Sequence, residues 1–533
     1  MNKKSTRADS IIDLCDVPFT VPGAKFIVRY ADNGDLHLYM VRYEIPLEEC
    51  LVATLFTDVK EIHWGHLIGY GWSIFLFRDR CVIYAENAKA VQFPESPAAH
   101  VQREGRFFIC SDTPLVSPAS VYFSDLKRMG AEVDLAVEKW MAKAPNVIPA
   151  REEMLVKCWW TLGANQIDVE LTSGKQTIVV PSKLGYVGLW QWDTYFIAIG
   201  LRHGDLPLAI KQFDCALSPE KDGQLPDVIY ERGRLASSAD LPEGDIPSLV
   251  KRGNLRPNDV VPLTKPPLYA WTAEKLFASM EEDERNKYIQ RWVPIFDQAQ
   301  EWWLSESNTD VLGCPLYRHP YSSGLDDNPV FDSSGSLVSP DLLAYLIRQE
   351  SIMACWKAQV GMSSSKERLI RLRKFLEGLW DEDAQMYIAR ASEGLKKERT
   401  ILSLLACFAG GLPQGHIYAI VADIWNQQRF LAPRYLPTVA LDDASFEENT
   451  MWRGPVWVNT NYLIADGLEK CGEMKTAQKI KNETMRILEH VGKPVEYVSA
   501  LSGELCPGAT TMFSWSAALY VDLAVAEYAD VSR

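Results

Sequence analysis

The chain has 533 residues, 47% of them apolar and 23% charged, with a formal net charge of −15. At roughly 100–200 residues per domain, that length asks for two or three units, and the composition is that of a globular protein, not a disordered one. A surface this negative repels phosphate backbones, which argues against nucleic acid as a partner.

The first ten residues are polar, and Asp13 and Asp16 interrupt the weakly apolar stretch that follows, so no secretory leader is expected. No run of about 18 apolar residues occurs, so no membrane partner is expected either. The 11 cysteines stand singly, without a Cys-x-x-Cys pair. That pattern points to reduced thiols in a cytoplasmic protein. The excess is in tryptophan, with 17 residues. Core packing accounts for most tryptophans, but an enzyme that grips sugars also needs flat apolar faces for sugar C–H groups.

Residues 1–125 read as a β-rich, sandwich-like domain. Runs 26–30 and 36–43 flank Asp32-Asn33-Gly34-Asp35, a hairpin signal. Runs 74–77 and 81–85 flank Arg78-Asp79-Arg80 in the same manner, and 106–110 is a further strand. Residues 126–150 read as a linker, and helical patterning dominates 151–533. Helices are expected at 151–164, 192–203, 268–282, 341–357, 457–470, 473–490 and 513–528. Leu369, Leu372, Leu376 and Leu379 form a helical stripe behind a capping box at Ser364 and Glu367. Ile401, Leu404, Leu405 and Phe408 form another, stopped by Gly410, Gly411 and Pro413, and Ile417, Ile420, Val421 and Ile424 a third. So many helices without a fixed-length repeat suggest a helical toroid. The stretch 230–260, rich in glycine, proline and charge, breaks the rhythm and reads as a surface insertion or as a lid over a site.

Four segments are rich in glycine, aromatic and polar residues, three of them with carboxylates. They are Gly188 to Phe196, with Gln191-Trp192-Asp193; Ser322 to Asp332, with Gly324-Leu325-Asp326-Asp327; Met451 to Asn459, with Trp452-Arg453-Gly454-Pro455-Val456-Trp457; and Glu496-Tyr497 with Phe513-Ser514-Trp515-Ser516. Singly, each also reads as N-cap aspartates, core tryptophans or a solvated glutamate. No His-x-x-x-His or His-Glu-x-x-His arrangement, Gly-x-Gly-x-x-Gly or phosphate loop is present, so neither a metal nor a cofactor is expected.

Taken together and in order, these motifs resemble glycoside hydrolase family sixty-three and its relatives among mannosylglycerate hydrolases, processing α-glucosidases and trehalases. The matching elements are Trp192-Asp193 followed by Gly-Leu-Arg-His-Gly-Asp at 200–205, Ser323 to Asp326, Trp452 to Trp457, Glu496-Tyr497, and Phe-Ser-Trp-Ser-Ala-Ala at 513–518. The resemblance spans about residues 150–530. It implies an (α/α)6 barrel, an inverting cleavage of an α-glycosidic bond such as an α-glucoside, Asp326 as general acid and Glu496 as general base. Gln191, Trp192, Asp193, Lys265, Trp452, Arg453, Trp457 and Trp515 are then expected to bind a small carbohydrate or glycoside. Three places depart from the family pattern: Ser322 where relatives carry Glu, Thr264-Lys265-Pro266-Pro267 where many carry Ser-Gln-Pro-Pro, and Asp227 where some carry His.

Physical chemistry supports the same division of labour. Asp326 has Asp327 and Asp332 for neighbours, and crowded carboxylates raise one another's pKa, as an acid requires. Asp327 is the alternative acid, or else caps a turn with Asn328-Pro329. Glu496 has no acidic neighbour in sequence before Glu504, so it can stay ionised. Asp193 and Arg453 read as hydroxyl-binding groups or as a buried ion pair. Lys265 reads as a contact for an acidic substrate or as a partner of Asp227. An epimerase or lyase on a similar toroid, using His203, His319 or His416, and a non-catalytic sugar-binding protein are the competing readings.

Overall fold

Both hairpin signals near the start of the chain form strands. β1 (Phe26–Tyr30) pairs antiparallel with β2 (Leu36–Met40) across Gly34, whose φ of +84° suits a residue without a Cβ. The structure, a computed structural model, describes residues 7–43, 45–95, 97–114, 122–171, 174–256, 258–364 and 366–532. Pro257 of the irregular stretch lies outside them. β3 (Leu51–Leu55), β4 (Val59–Ile62), β5 (His66–Gly69), β6 (Trp72–Leu76), β7 (Arg80–Ala85), β8 (Val91–Gln92), β9 (His100–Glu104) and β10 (Phe107–Ser111) follow. They build two antiparallel sheets, in the orders β1-β2-β3-β8 and β4-β5-β6-β7-β10-β9.

Alternation along β6 shows how these sheets are held. Trp72, Ile74 and Leu76 enter a core shared with Phe26, Val28, Leu36 and Leu38 of the other sheet. Phe75, on the opposite face, joins Phe77, Val82 and Ile109 in a second core closed by Leu126. Leu126 belongs to α1 (Phe123–Met141), a 19-residue helix. The segment expected as a linker, 126–150, therefore carries most of a helix. Its buried positions Leu126, Gly130, Val137 and Trp140 follow helical spacing, masked in sequence by the charged residues between them.

α2 (Glu152–Ala164) comes next, then the hairpin of β11 (Gln166–Leu171) and β12 (Gly174–Val179). Trp140 and Trp159 stack with centroids 4.8 Å apart, and each indole N–H donates to the other's backbone carbonyl, at 3.0 and 2.9 Å. These two tryptophans serve packing. The C-terminal helix Ser514–Ser532 lies along α2, fastened by the Asn165 amide, which donates to Met512 O at 2.7 Å and Ser514 Oγ at 2.8 Å. The sheets, α1, α2, this hairpin and the C-terminal helix form one compact unit, Met1–Leu189 with Tyr230–Arg232 and Thr510–Arg533.

The second unit, Trp190–Ile229 and Gly233–Ala509, is helical. Its elements are α3 (Gln191–Leu201), α4 (Leu206–Ala216), α5 (Ile246–Lys251), α6 (Tyr269–Phe277), α7 (Glu282–Trp303), α8 (Pro340–Gln359), α9 (Lys366–Glu377), α10 (Ile401–Leu405), α11 (Gln414–Ile424), α12 (Val458–Lys470) and α13 (Met474–Val491). Wholly or mostly buried helices alternate with amphipathic ones: α3 with α4, α6 with α7, α8 with α9, α12 with α13. The buried helices touch in succession, α3 to α6, α6 to α8, α8 to α10 and α10 to α12. Most helix bounds fall within a few residues of the sequence reading. The expected helix 268–282 ends early, at Phe277, because a turn at 278–281 separates it from α7. Among the described residues no helix is long and apolar enough to cross a membrane.

Candidate active site

The candidate residues of the second unit gather where buried helices begin. Gln191, Trp192 and Asp193 form the first turn of α3, Thr264 and Lys265 lead into α6, and Trp457 precedes α12. Gln191 ties two of these entries together. Its backbone N–H donates to Asp227 O at 2.9 Å, and its side-chain Oε1 accepts from Lys265 N at 3.3 Å.

Gly324 sets the loop that carries Asp326. Its φ is +72°, and a Cβ there would lie 2.4 Å from the Trp192 ring. Only glycine satisfies both conditions, which gives the Ser-Gly-x-Asp motif its physical reason. Past Gly324 the two adjacent aspartates diverge. Asp327 Oδ1 accepts from Trp452 N at 2.9 Å, so this carboxylate neither faces solvent nor caps the Asn328-Pro329 turn; it secures the next loop. Asn328 Nδ2 adds a bond to Trp452 O at 3.1 Å. Asp326 faces Lys265 instead, with Nζ 3.7 Å from its Oδ1.

Lys265 is 4% exposed. Its Nζ donates to Tyr321 O at 2.7 Å and lies 3.2 Å from Asp227 Oδ1. The ion pair with Asp227 is thus present. One ammonium faces three carboxyl groups, Asp227, Asp326 and Asp193. Burial works against its charge, but their combined field outweighs burial and raises its pKa.

A single cation cannot neutralise three buried carboxylates, so protons stay bound. Burial pushes Asp326 up to about 7; Lys265 pulls against this, while Asp227, Asp327 and Asp245 add to it. Burial is thus the first cause, ahead of the crowding by Asp327 that the sequence suggested, and Asp332 is engaged elsewhere. Asp227 rises to about 6, again by burial, with Lys265 opposing. Asp193 is raised well above the usual range by burial, with Lys265 opposing and Asp227 and Glu496 reinforcing. Asp326 Oδ1 is buried while the side chain as a whole keeps 32% exposure.

Glu496, 3% exposed, stands at the start of a two-residue ribbon in which Tyr497–Val498 pairs antiparallel with Val456–Trp457. That ladder joins the Glu-Tyr motif to the Trp-Arg-Gly-Pro-Val-Trp motif. Trp457 stacks on Trp452 at 3.6 Å and on Tyr497 at 4.5 Å, and Trp452 meets Trp192 at 6.0 Å. Trp192, Trp452 and Trp457 are at most 2% exposed, so these rings pack against protein instead of standing open as sugar platforms. Gly454 lets the ribbon turn: a Cβ there would lie 2.3 Å from Glu447 O.

Arg453 answers the ion-pair alternative. It binds Asp332 through both terminal nitrogens, at 3.1 and 2.9 Å, and Glu447 through Nε at 2.8 Å. Trp515 lies in the first unit, in the C-terminal helix, where its ring meets Phe513 edge-on at 4.9 Å.

Several participants escaped the sequence reading. Tyr321 OH donates to Asp245 Oδ2 at 3.0 Å, and Arg252 lies 3.9 Å from Asp327. Asn254 Nδ2 donates to Phe331 O at 2.6 Å. The irregular stretch is therefore bonded to the loop bearing Asp326. The sequence signals were its glycine, proline and charge and the break in helical rhythm, none of which singled out Asp245, Arg252 or Asn254. Among the described residues no cluster of three or more His, Cys, Asp or Glu is arranged to hold a metal ion.

Comparison with known proteins agrees with this architecture. Residues 186–516 match the mannosylglycerate hydrolase MGH1-like glycoside hydrolase domain, a span that includes every candidate residue above. A mannosylglycerate hydrolase of Thermus thermophilus is 24% identical over 66% of this chain and 98% of its own. The glucosylglycerate hydrolase of Mycolicibacterium hassiacum is 20% identical over 65% of this chain and 94% of its own. In fold, the chain is similar to the family sixty-three mannosylglycerate hydrolase from a second strain of Thermus thermophilus, in complex with Tris and D-glycerate. That likeness has a TM-score of 0.58 at 22% identity, covering 70% of this chain and 99% of that one. The protein is a glycoside hydrolase. Within that class, the chain belongs to the MGH1-like group of glycoside hydrolase family sixty-three.

Proposed function

We propose that this enzyme cleaves an α-glycosidic bond with inversion, with Asp326 as general acid and Glu496 as general base. The observation that carries this reading is the state of Asp326: a carboxyl held up to about 7 by burial, with part of its side chain open. An acid with a pKa near the working pH is protonated and still able to let its proton go. In the reaction Asp326 gives that proton to the glycosidic oxygen as its bond to the anomeric carbon breaks. Glu496 takes a proton from the water that attacks the opposite face, and the products are the free alcohol and a sugar of inverted anomeric configuration. Asp193 and Gln191 are the groups we assign to sugar hydroxyls. The alternation of buried and amphipathic helices supports the (α/α)6 barrel as the fold class.

For the substrate, the named activities of the relatives favour an α-mannoside or α-glucoside of glycerate. That preference rests on the relatives and not on Lys265, which pairs with Asp227. Of the three histidines the epimerase alternative would use, His319 is disfavoured: burial, reinforced by Lys265, holds it down at about 3, so it is a weak base and stays neutral at pH 7.

The test is proton NMR at early times with α-mannosylglycerate, α-glucosylglycerate and a neutral α-glucoside. The first product should be the β-anomer, with one glycerate glycoside turned over fastest. Initial release of the α-anomer means retention and overturns the assignment of roles.

A further inference from the structure

Lys265 and Asp227 are both departures from the family pattern, and they contact each other. The Lys265 ammonium has three N–H donors and no acceptor. One donates to Tyr321 O at 2.7 Å, and the ammonium charge lies 3.2 Å from Asp227 Oδ1 and 3.7 Å from Asp326 Oδ1, as an ion pair without a hydrogen bond to either oxygen. Pro266 and Pro267 stiffen the segment behind the lysine, and Gln191 Oε1 holds its backbone N–H at 3.3 Å. The ammonium charge beside Oδ1, a buried oxygen with no hydrogen-bond partner among the described residues, opposes a proton there and so favours the proton on Oδ2.

A lone ammonium so close would also strip the acid of its proton, because a positive charge within about 4–6 Å lowers a carboxyl pKa by roughly 1–3 units. Asp227, 1% exposed, supplies the cancelling charge. The other groups facing this cluster do not take over that task. Asp327 is bound to Trp452 N with Arg252 beside it, Tyr321 and Asp245 bond to each other, burial raises Asp193 well above the usual carboxyl range, and His319 is neutral.

Resting on the assignment of Asp326 as the acid, we infer that Lys265 and Asp227 form a positioning pair: Lys265 fixes which oxygen of Asp326 bears the proton, and Asp227 cancels the lysine charge so that the proton is kept. A neutral amide can do the first task without the second, which is why lysine and aspartate occur together here.

The test is the alkaline limb of the kcat/KM profile, measured with α-glucosylglycerate and α-mannosylglycerate. Asp227→Asn leaves the ammonium uncompensated, and the limb should move down by about one unit or more. Lys265→Gln keeps a donor but removes the charge, and the limb should move up. The double variant should return to within about half a unit of the parent, since both charges go together. Unmoved limbs, or shifts in the same direction, overturn the proposal. Where a single variant fails to fold, two double variants carry the test. Asp227→Asn with Lys265→Gln keeps a donor, and Asp227→Asn with Lys265→Met does not. The second should have kcat at least about tenfold lower at an unchanged limb, and equal kcat overturns the orienting role.

Asp326→Asn on α-glucosyl and α-mannosyl fluoride separates the two levels. Fluoride leaves without a proton, so activity on the fluorides should survive while activity on the glycerate glycosides is lost. Equal loss on both removes the acid assignment itself. Selective loss with unmoved limbs in the pair variants removes only the positioning pair.

Discussion

The loop bearing Asp326 and the ribbon bearing Glu496 are organised by opposite means. The loop is organised by charge: Lys265 against Asp227 and Asp326, Arg453 against Asp332, Asp327 on a backbone N–H. The ribbon is organised by aromatic faces, with Trp452, Trp457 and Tyr497 stacked in succession. On the loop's side, a shortage of cations around buried carboxylates retains protons.

The largest expected effect divides the two sides by chemistry. Asp326→Asn and Glu496→Gln should each lower kcat on glycerate glycosides by roughly 10²–10⁴-fold while melting like the parent or higher. Steady-state assays with thermal melts check this, and near-parental kcat in either variant breaks the assignment on that side.

Next in size is the glycine that lets the loop form. Gly324→Ala adds a Cβ that would lie 2.4 Å from the Trp192 ring at a φ of +72°. A loss of about 3 kcal/mol or more is expected in urea unfolding. A loss under about 0.5 kcal/mol would mean that the loop is not seated on Trp192.

The charge-built side also predicts a gain. Asp326 has a folded pKa near 7, above the ordinary carboxyl value of 3.8. A raised carboxyl favours the folded state at low pH, and that advantage is lost as pH climbs from about 4 to about 7. Asp326→Asn cannot ionise, so it should stabilise the protein at pH 8 and not at pH 4. Three units set a ceiling of about 4 kcal/mol, and a side chain one-third open brings the expected gain to about 1–2 kcal/mol. Denaturant titrations at the two pH values measure it, and an equal or reversed effect contradicts retention of the proton. By the same sign, kcat/KM should fall as pH rises through about 7.

The smallest effect concerns Arg453. Asp332 and Glu447 are about half exposed, so Arg453→Lys, which loses the bidentate fork, should cost about 1 kcal/mol. It should leave kcat within about twofold if Arg453 is an ion-pair residue. A kcat loss of tenfold or more would return it to the substrate.

Much of this was legible in the chain because it is local. Hairpin turns, helical stripes and glycine-marked loops depend on near neighbours, so strands and helices fell close to where the periodicity placed them. α1 was legible too, in the spacing of Leu126, Val137 and Trp140, but its many charges made the segment look like a linker. The carboxylates at 326 and 496 stood out through motif context and not through any property of their own.

By itself, then, the sequence determined most of the helices and the N-terminal strands, which family the motifs resemble, and which two carboxylates to weigh against each other. Only the tertiary structure decided what surrounds them. Lys265 and Asp227 are 38 positions apart, Tyr321 and Asp245 are 76, and Arg453 and Asp332 are 121. A pKa or an ion pair depends on burial and on charges within a few ångströms, whichever segments bring them. Asp326, in a cluster with one lysine, holds its proton only because folding removes the water that would otherwise solvate its charge.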